Sequence, residues 1–319
     1  MKYAVGVDIG GTKIQFALVD EQGRIARGDV VATEAARGAE GVMQTVVEGI
    51  DRVIGDGCAR IEGIGIGSAG QIDFRTGEVS FAVDTLPGWT GTPIKQIVER
   101  RFGLPAYVDN DVNAAAVAEK CFGAGRQLDH FVCLALGTGI GGAIVESGRL
   151  LRGASGGAGE LGHVSVDFNG PRCSCGNYGC VELYASGPGI ARLARETLAA
   201  QGTAAEAGLG AKEVLADWSG GAAYAALVMD RVIRALASAV AGIIHAFNPQ
   251  AVIIGGGVSG AGDAFFAALA KEAAARTSPS MRGDCRIVPA GVGANAGVIG
   301  AAAQVWHYGP DAAASRVAL

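Results

Sequence analysis

The chain has no excess of positive charge, no unbroken apolar span and no low-complexity linker, and each absence narrows what it can do. Its 26 lysines and arginines are outnumbered by 31 aspartates and glutamates, a formal net charge of −5. A surface for polyanions is therefore not expected, nor is nucleic acid as a partner. Met1-Lys2 leads straight into a strand-like run with no apolar core or cleavage site, so no secretory signal is expected. The longest stretch without Asp, Glu, Lys or Arg, 235–262, is interrupted by His245, Asn248, Pro249 and Gln250 and ends in glycines. It reads as helix, turn and strand, not as a membrane span. Cysteine is odd in number, seven in the chain, with Cys58, Cys121, Cys133 and Cys285 scattered. Without a secretory signal, reduced thiols and a cytoplasmic location are expected. What is present is a 319-residue chain, half hydrophobic and 18% charged, long enough for two domains with a core each. Its 52 glycines are the outlying count.

The most informative stretch runs from Gly156 to Glu182. Cys173, Cys175 and Cys180 lie close together there, with His163 ten residues before the first of them. Three thiolates and an imidazole complete a tetrahedral zinc set, and a set with no open position is structural. Gly170, Gly176 and Gly179 let a short loop fold around an ion. Glu160 and Glu182 bracket this loop, where a metal-tied backbone would hold carboxylates rigidly toward a ligand rich in hydroxyls. The alternative is three buried cysteines and a core histidine, against which the C-x-C-x4-C spacing weighs.

Two strand–glycine turn–strand segments stand out. Residues 3–19 join two β-like runs through Gly10-Gly11-Thr12, beside Asp8 and Lys13. Bare N–H groups and a lysine suit phosphate oxygens, and an aspartate can hold the waters of a magnesium ion; a plain hairpin turn is the other reading. Residues 131–145 repeat the pattern around Gly137, Thr138, Gly139 and Gly142, and the strand that follows argues against a dinucleotide crossover. This recurrence hints at two related halves. A further glycine run, Gly255 to Gly260, has a strand before it and a helix after it, but no acid about twenty residues on. Between them, residues 105–113 read as a strand entering a polar cluster. Asp111 is a candidate general base there, and Asn110 a candidate for orienting a hydroxyl. If the strand persists, Asp109 and Asp111 point to opposite faces and only one meets a substrate; alternatively either aspartate merely caps the following helix. Amphipathic helices are expected over 41–54, 94–101, 189–198, 212–218, 224–247, 264–275 and 296–305.

Together these motifs resemble the ROK family of sugar kinases, within the actin-like ATPase superfamily. DIGGTK (Asp8 to Lys13) and LGTGIGG (Leu136 to Gly142) look like its two phosphate motifs, and IGGGVS (Ile254 to Ser259) like its adenosine motif. GELGH (Gly159 to His163) and CSCGNYGCVE (Cys173 to Glu182) resemble its sugar and zinc signatures, and NDVNAAA (Asn110 to Ala116) the segment with the catalytic aspartate. The resemblance implies an α/β, two-lobed actin-like ATPase (ribonuclease H-like) fold with a zinc-stabilised loop in the C-terminal lobe. The lobes would be residues 1–118, joined by about 296–319, and residues 119–295, closing around the sugar. It implies ATP with Mg2+, a structural Zn2+ on His163, Cys173, Cys175 and Cys180, and a homodimer. Asp111 would be the base; Gly70, Asn110, Asp111, Glu160, His163 and Glu182 would bind the sugar. Asp8, Gly10, Gly11, Thr12, Lys13, Thr138, Gly139, Gly256 and Gly257 would hold the nucleotide.

The implied activity is phosphorylation of a hexose hydroxyl, with glucose 6-OH as the leading acceptor. N-acetylmannosamine, fructose, allose or a cyclic polyol are alternatives, since a few hydrogen bonds tell such acceptors apart. The family also contains sugar-responsive repressors, which carry an N-terminal helical DNA-binding domain, whereas a strand starts here at Tyr3. A nicotinamide-dependent dehydrogenase built on the glycine motifs is a third class. The sequence departs from the family pattern at Ser68-Ala69-Gly70, where proline commonly precedes the glycine, and at Asp84-Thr85, where Asn-Leu is usual.

Overall fold

The computed structural model describes residues 2–55, 60–82 and 86–309. Cys58, Asp84 and Thr85 fall outside the described residues. The chain divides into two compact units, Met1–Gln127 with Arg152–Ala158 and Gly291–Leu319, and Leu128–Leu151 with Gly159–Ala290.

In the first unit the elements run β1 (Lys2–Ile9), β2 (Lys13–Asp20), β3 (Ile25–Ala32), α1 (Gly38–Ile54), β4 (Arg60–Ser68), β5 (Gln71–Asp73), β6 (Glu78–Phe81), α2 (Ile94–Phe102), β7 (Ala106–Asn110) and α3 (Asp111–Phe122), then a C-terminal helix over Ala296–Tyr308. The sheet order is β3-β2-β1-β4-β7, with β1, β2 and β3 antiparallel and β4 and β7 parallel to β1. Alternation along β1 sends Val5, Val7 and Ile9 into the core that also holds Val42, Val46 and Ile50 of α1. Ala4 goes to the opposite face, into a core with Val298 and Ala302 of the C-terminal helix. That helix sits almost on the sheet backbone. A Cβ on Gly6 would lie 2.0 Å from the Val298 carbonyl oxygen, so only glycine permits this spacing.

The second unit contains β8 (Phe131–Leu136), β9 (Ile140–Glu146), β10 (Arg149–Leu150), α4 (Glu182–Ala185), α5 (Gly187–Ala200), α6 (Ala211–Ser219), α7 (Ala223–Phe247), β11 (Ala251–Gly255), α8 (Asp263–Arg276) and β12 (Arg286–Pro289). Its sheet order is β10-β9-β8-β11-β12. Three antiparallel strands are followed by two parallel ones, as in the first unit. This is the actin-like, ribonuclease H-like arrangement, in which each half opens on a hairpin. Helix α7 buries Val228, Val232, Leu236, Val240 and Ile243 along one stripe, the 3.6-residue pattern expected of it. Among the described residues no helix is long and apolar enough to cross a membrane.

Candidate active site

In the first unit the turn between β1 and β2 is closed by the Gly10 N–H donating to the Lys13 carbonyl at 3.1 Å. Thr33, fully buried just past β3, holds it from behind. Its N–H donates to the Thr12 carbonyl at 3.0 Å and its hydroxyl to the Gly10 carbonyl at 2.6 Å. Two carbonyl dipoles that would repel a phosphate are thereby committed to Thr33, while Thr12 and Lys13 remain exposed. Thr33 carries no motif, and the sequence reading missed it. Asp8 lies two residues before the turn, half-buried. A Cβ on Gly297 of the C-terminal helix would come within 2.3 Å of its Oδ2, so that glycine makes room for the carboxylate. Burial pushes the Asp8 carboxyl up to about 6, with the Lys13 charge opposing the shift.

The strand β7 stops at Asn110, and Asp111 is the first residue of α3. The opposite-face expectation for Asp109 and Asp111 therefore does not apply. Asn110 is the N-cap, its Oδ1 accepting from the N–H groups of Val112 at 2.9 Å and Asn113 at 3.3 Å, and the Asp111 Oδ1 also accepts from the Val112 N–H at 2.9 Å. The Asn110 amide nitrogen donates to the Gly70 carbonyl at 3.0 Å. Gly70 has φ +97°, and a Cβ there would press within 2.6 Å of the Phe81 carbonyl oxygen. The structure thus brings Gly70, Asn110 and Asp111 together at the C-terminal ends of the parallel strands β4 and β7, where α/β sheets place ligands. Ser68, in the segment that departs from the family pattern, is fully buried and accepts from the Trp89 indole N–H at 3.0 Å.

In the second unit the loop after β8 is the common neighbour of three motifs. Gly256, at φ +88°, packs against the end of β8, where a Cβ would lie 2.4 Å from the Leu136 carbonyl oxygen. The Gly187 N–H at the start of α5 donates to the Gly137 carbonyl at 2.8 Å. The Glu182 Oε2 accepts from the Ile140 N–H at 2.8 Å. On one side of this loop lies a cavity of 640 Å³ lined by Leu136, Thr138, Pro188, Leu215, Gly257 and Val258. An apolar slot with a hydroxyl and bare glycine backbone at its edge suits a planar base and its phosphates. Gly257 lines the slot, whereas Gly256 backs onto the strand. Helices α5 and α6 supply the far wall, with Lys212 at its edge; in the sequence they read as ordinary amphipathic helices.

The GELGH segment lies against β9. A Cβ on Gly162 would fall 2.0 Å from the Ile140 carbonyl oxygen. His163 turns its two ring nitrogens different ways: Nδ1 is 3.7 Å from Cys173 Sγ, and Nε2 is 4.0 Å from the Glu160 carboxylate. Cys175 and Cys180 place their sulfurs 3.6 Å apart, and the four candidate ligand atoms all lie within 4.8 Å of one another. With Zn–S bonds of about 2.3 Å, a tetrahedron has edges of about 3.8 Å, so donor set and spacing fit zinc. Cys173 and Cys180 are buried and Cys175 exposed. The Ser165–Cys180 and Arg172–Tyr178 bridges and the Tyr184 hydroxyl donating to Asp167 at 2.9 Å tie the loop independently of any ion.

The sequence pattern of the ROK family matches residues 4–307. The glucokinase of Thermotoga maritima is 40% identical over 94% of this chain and 96% of that protein. The xylose repressor of Bacillus spizizenii is 27% identical over 96% of this chain and 77% of its own length. Among solved structures, a ROK family glucokinase from Streptomyces griseus in complex with glucose and AMPPNP superposes with a TM-score of 0.81 at 35% identity, covering 94% of this chain and 98% of that one.

Proposed function

The chain belongs to the ROK family, and we propose that it transfers the γ-phosphoryl group of ATP to a hexose hydroxyl, with glucose 6-OH as the acceptor. The observation that carries this is the loop Gly137–Gly139, which edges the apolar cavity on one side and meets the Glu182 carboxylate on the other. Its support is the 40% identity to a glucokinase over nearly the full length. Phosphoryl transfer asks a protein for positioning and charge stabilisation more than for covalent chemistry, and the parts present are of that kind. Thr138, Gly139 and the Gly10–Lys13 turn would hold the phosphates, and Gly257 would lie against the nucleoside. Asp111 would take the proton from the attacking hydroxyl as its bond to phosphorus develops. Glu160, Glu182 and the outward Nε2 of His163 would bind sugar hydroxyls. A magnesium ion, held through water by Asp8, would neutralise charge on the phosphates. The zinc on His163, Cys173, Cys175 and Cys180 would keep Glu160 and Glu182 in place. A homodimer in the cytoplasm goes with this reading, and sedimentation of the purified protein tests the dimer.

A coupled ADP-release assay over hexoses, amino sugars and polyols tests the reading, with Asp111→Asn run beside the wild type. One strong acceptor, and loss of turnover in Asp111→Asn with sugar affinity retained, is the expected result. Full activity in Asp111→Asn removes the base assignment. A second reading, a sugar-responsive regulator, is favoured by the likeness to a xylose repressor; it requires sugar binding without ADP release from any acceptor.

A further inference from the structure

The Asp109 carboxylate is only 2% exposed and accepts from four donors. These are Arg152 Nε at 3.1 Å and Nη2 at 2.7 Å, Asn113 Nδ2 at 2.7 Å, and the Asn110 N–H at 2.8 Å. The Arg152 guanidinium sits over the Phe74 ring, its Cζ 3.7 Å from that centroid and 4.9 Å from the centroid of Tyr308. Phe74 follows β5, and Tyr308 ends the C-terminal helix. One side chain thus ties together three parts of the first unit that are remote in sequence. Burying an ion pair adds little net stability, because desolvation offsets the attraction and apolar residues of the same volume serve as well. Its geometry points elsewhere. Between Asp109 and Asp111 there is a single residue, Asn110, whose own side chain is fixed on α3 and on Gly70. The strand-to-helix junction that carries Asp111 is gripped from both sides.

We propose that Arg152 is a positioning residue for phosphoryl transfer, holding Asp109 so that the Asn110–Asp111 junction keeps Asp111 in reach of the acceptor hydroxyl. The proposal rests on the reading of Asp111 as the base. A forked, stacked guanidinium has no substitute in lysine, whose ammonium is a point charge without a planar face. Misplacing a reacting group by about 1 Å costs about 10²-fold in rate. Loss of the fork therefore acts on kcat, while the nucleotide cavity, built wholly from the second unit, is untouched.

The experiment measures kcat and KM with glucose and ATP for the wild type, Arg152→Lys, the double variant Asp109→Asn/Arg152→Met, and Asp111→Asn. Active sites are counted by titration with a tight ATP analogue, and thermal midpoints are recorded. Arg152→Lys is expected to lose about 10- to 100-fold in kcat per site, with the KM for ATP changed by less than about twofold. The double variant leaves no uncompensated charge and should regain the thermal midpoint while kcat stays low. A structural role alone predicts the reverse, kcat per site at the wild-type level wherever the fold is recovered, and that result overturns the proposal. An inactive Asp111→Asn beside a fully active Arg152→Lys overturns it while leaving the base assignment standing. Full activity in Asp111→Asn, or no turnover of glucose by the wild type, removes both.

Discussion

The Glu182 carboxylate accepts a hydrogen bond from the backbone N–H of Ile140 at 2.8 Å, across a gap that exists because residue 139 is glycine. A Cβ on Gly139 would stand 2.7 Å from the same oxygen. The acid that closes the cysteine loop therefore also braces the loop that edges the 640 Å³ cavity proposed to hold the nucleotide, and a charge-assisted bond of this kind contributes about 1.5–3 kcal/mol. Glu182→Ala is expected to raise KM for both ATP and sugar, each by about 10-fold or more. Glu182→Gln keeps an acceptor oxygen and should fall between. Glu160→Ala leaves the Ile140–Glu182 bond in place and should raise KM chiefly for the sugar. Steady-state kinetics with each substrate varied will tell; an ATP KM unmoved in Glu182→Ala would show that the brace does not matter.

Removing one sulfur tests the metal. Cys175 is exposed, so Cys175→Ser leaves no core cavity, whereas Cys173 and Cys180 are buried and would add a packing defect. Metal analysis is expected to find about one zinc per wild-type chain and much less in the variant. The thermal midpoint should fall and the KM for sugar should rise, because Glu160 and His163 lose their anchor. A fully stable, fully active variant without metal would sink the structural zinc.

How much of this could be seen in the sequence depends on whether a feature is local. The two glycine turns, and the Cys173–Cys180 spacing with His163, are short-range patterns: each turn joins two strands, and the four candidate ligand side chains come together as their spacing implies. The strand over Ile25–Ala32 was missed for a physical reason: it is an edge strand with no buried face, Ile25 and Val30 both exposed, so it carries no apolar alternation. Thr33 and Arg152 were missed because each acts on a segment far along the chain; Arg152 and Asp109 are 43 residues apart. Asp109 and Asp111 would have alternated had the strand persisted to residue 113, but the Asn110 side chain caps a helix that already starts at Asp111. Asn113 lies inside the NDVNAAA segment, but its bond to Asp109 at 2.7 Å, which ties the first turn of that helix, could not be read from the motif.

Packing of the C-terminal helix gives a stability test remote from the chemistry. A Cβ on Gly65 would sit 1.7 Å from the Ala301 carbonyl oxygen, and one on Gly300 1.8 Å from that of Ala114. Backbone cannot yield as a side-chain tip does, so Gly65→Ala must push the helix off the sheet. The cost should reach or exceed the ~1–3 kcal/mol of ordinary overpacking. Denaturant unfolding is expected to show a lower midpoint, or the variant will fail to accumulate as folded protein. A midpoint equal to wild type would mean that the helix does not lie so close to β4.

The pH dependence at Asp8 follows from its burial, which pushes the carboxyl from 3.8 up to about 6. The folded chain then holds a proton on Asp8 between about pH 4 and 6 where the unfolded chain does not, so stability falls as pH rises through that window and the penalty persists above it. A shift of that size amounts to ~3 kcal/mol. Asp8→Asn removes the ionisation, so the variant is expected to be the more stable protein at pH 7.5 and no more stable than wild type near pH 4. Activity should move the other way. A carboxylate held above its ordinary pKa by desolvation is poised to gain from a cation, and magnesium with ATP should draw the pKa down again. Wild-type turnover at subsaturating Mg2+ is therefore expected to fall as pH drops through about 6, and the fall should shift to lower pH as Mg2+ is raised, while Asp8→Asn is poorly active throughout. Thermal midpoints of the two proteins from pH 4 to 8, set beside Mg2+-dependent rates over the same range, decide the matter. Parallel stability curves would show that Asp8 is not strained by its site, and an acid limb indifferent to Mg2+ would detach it from the nucleotide.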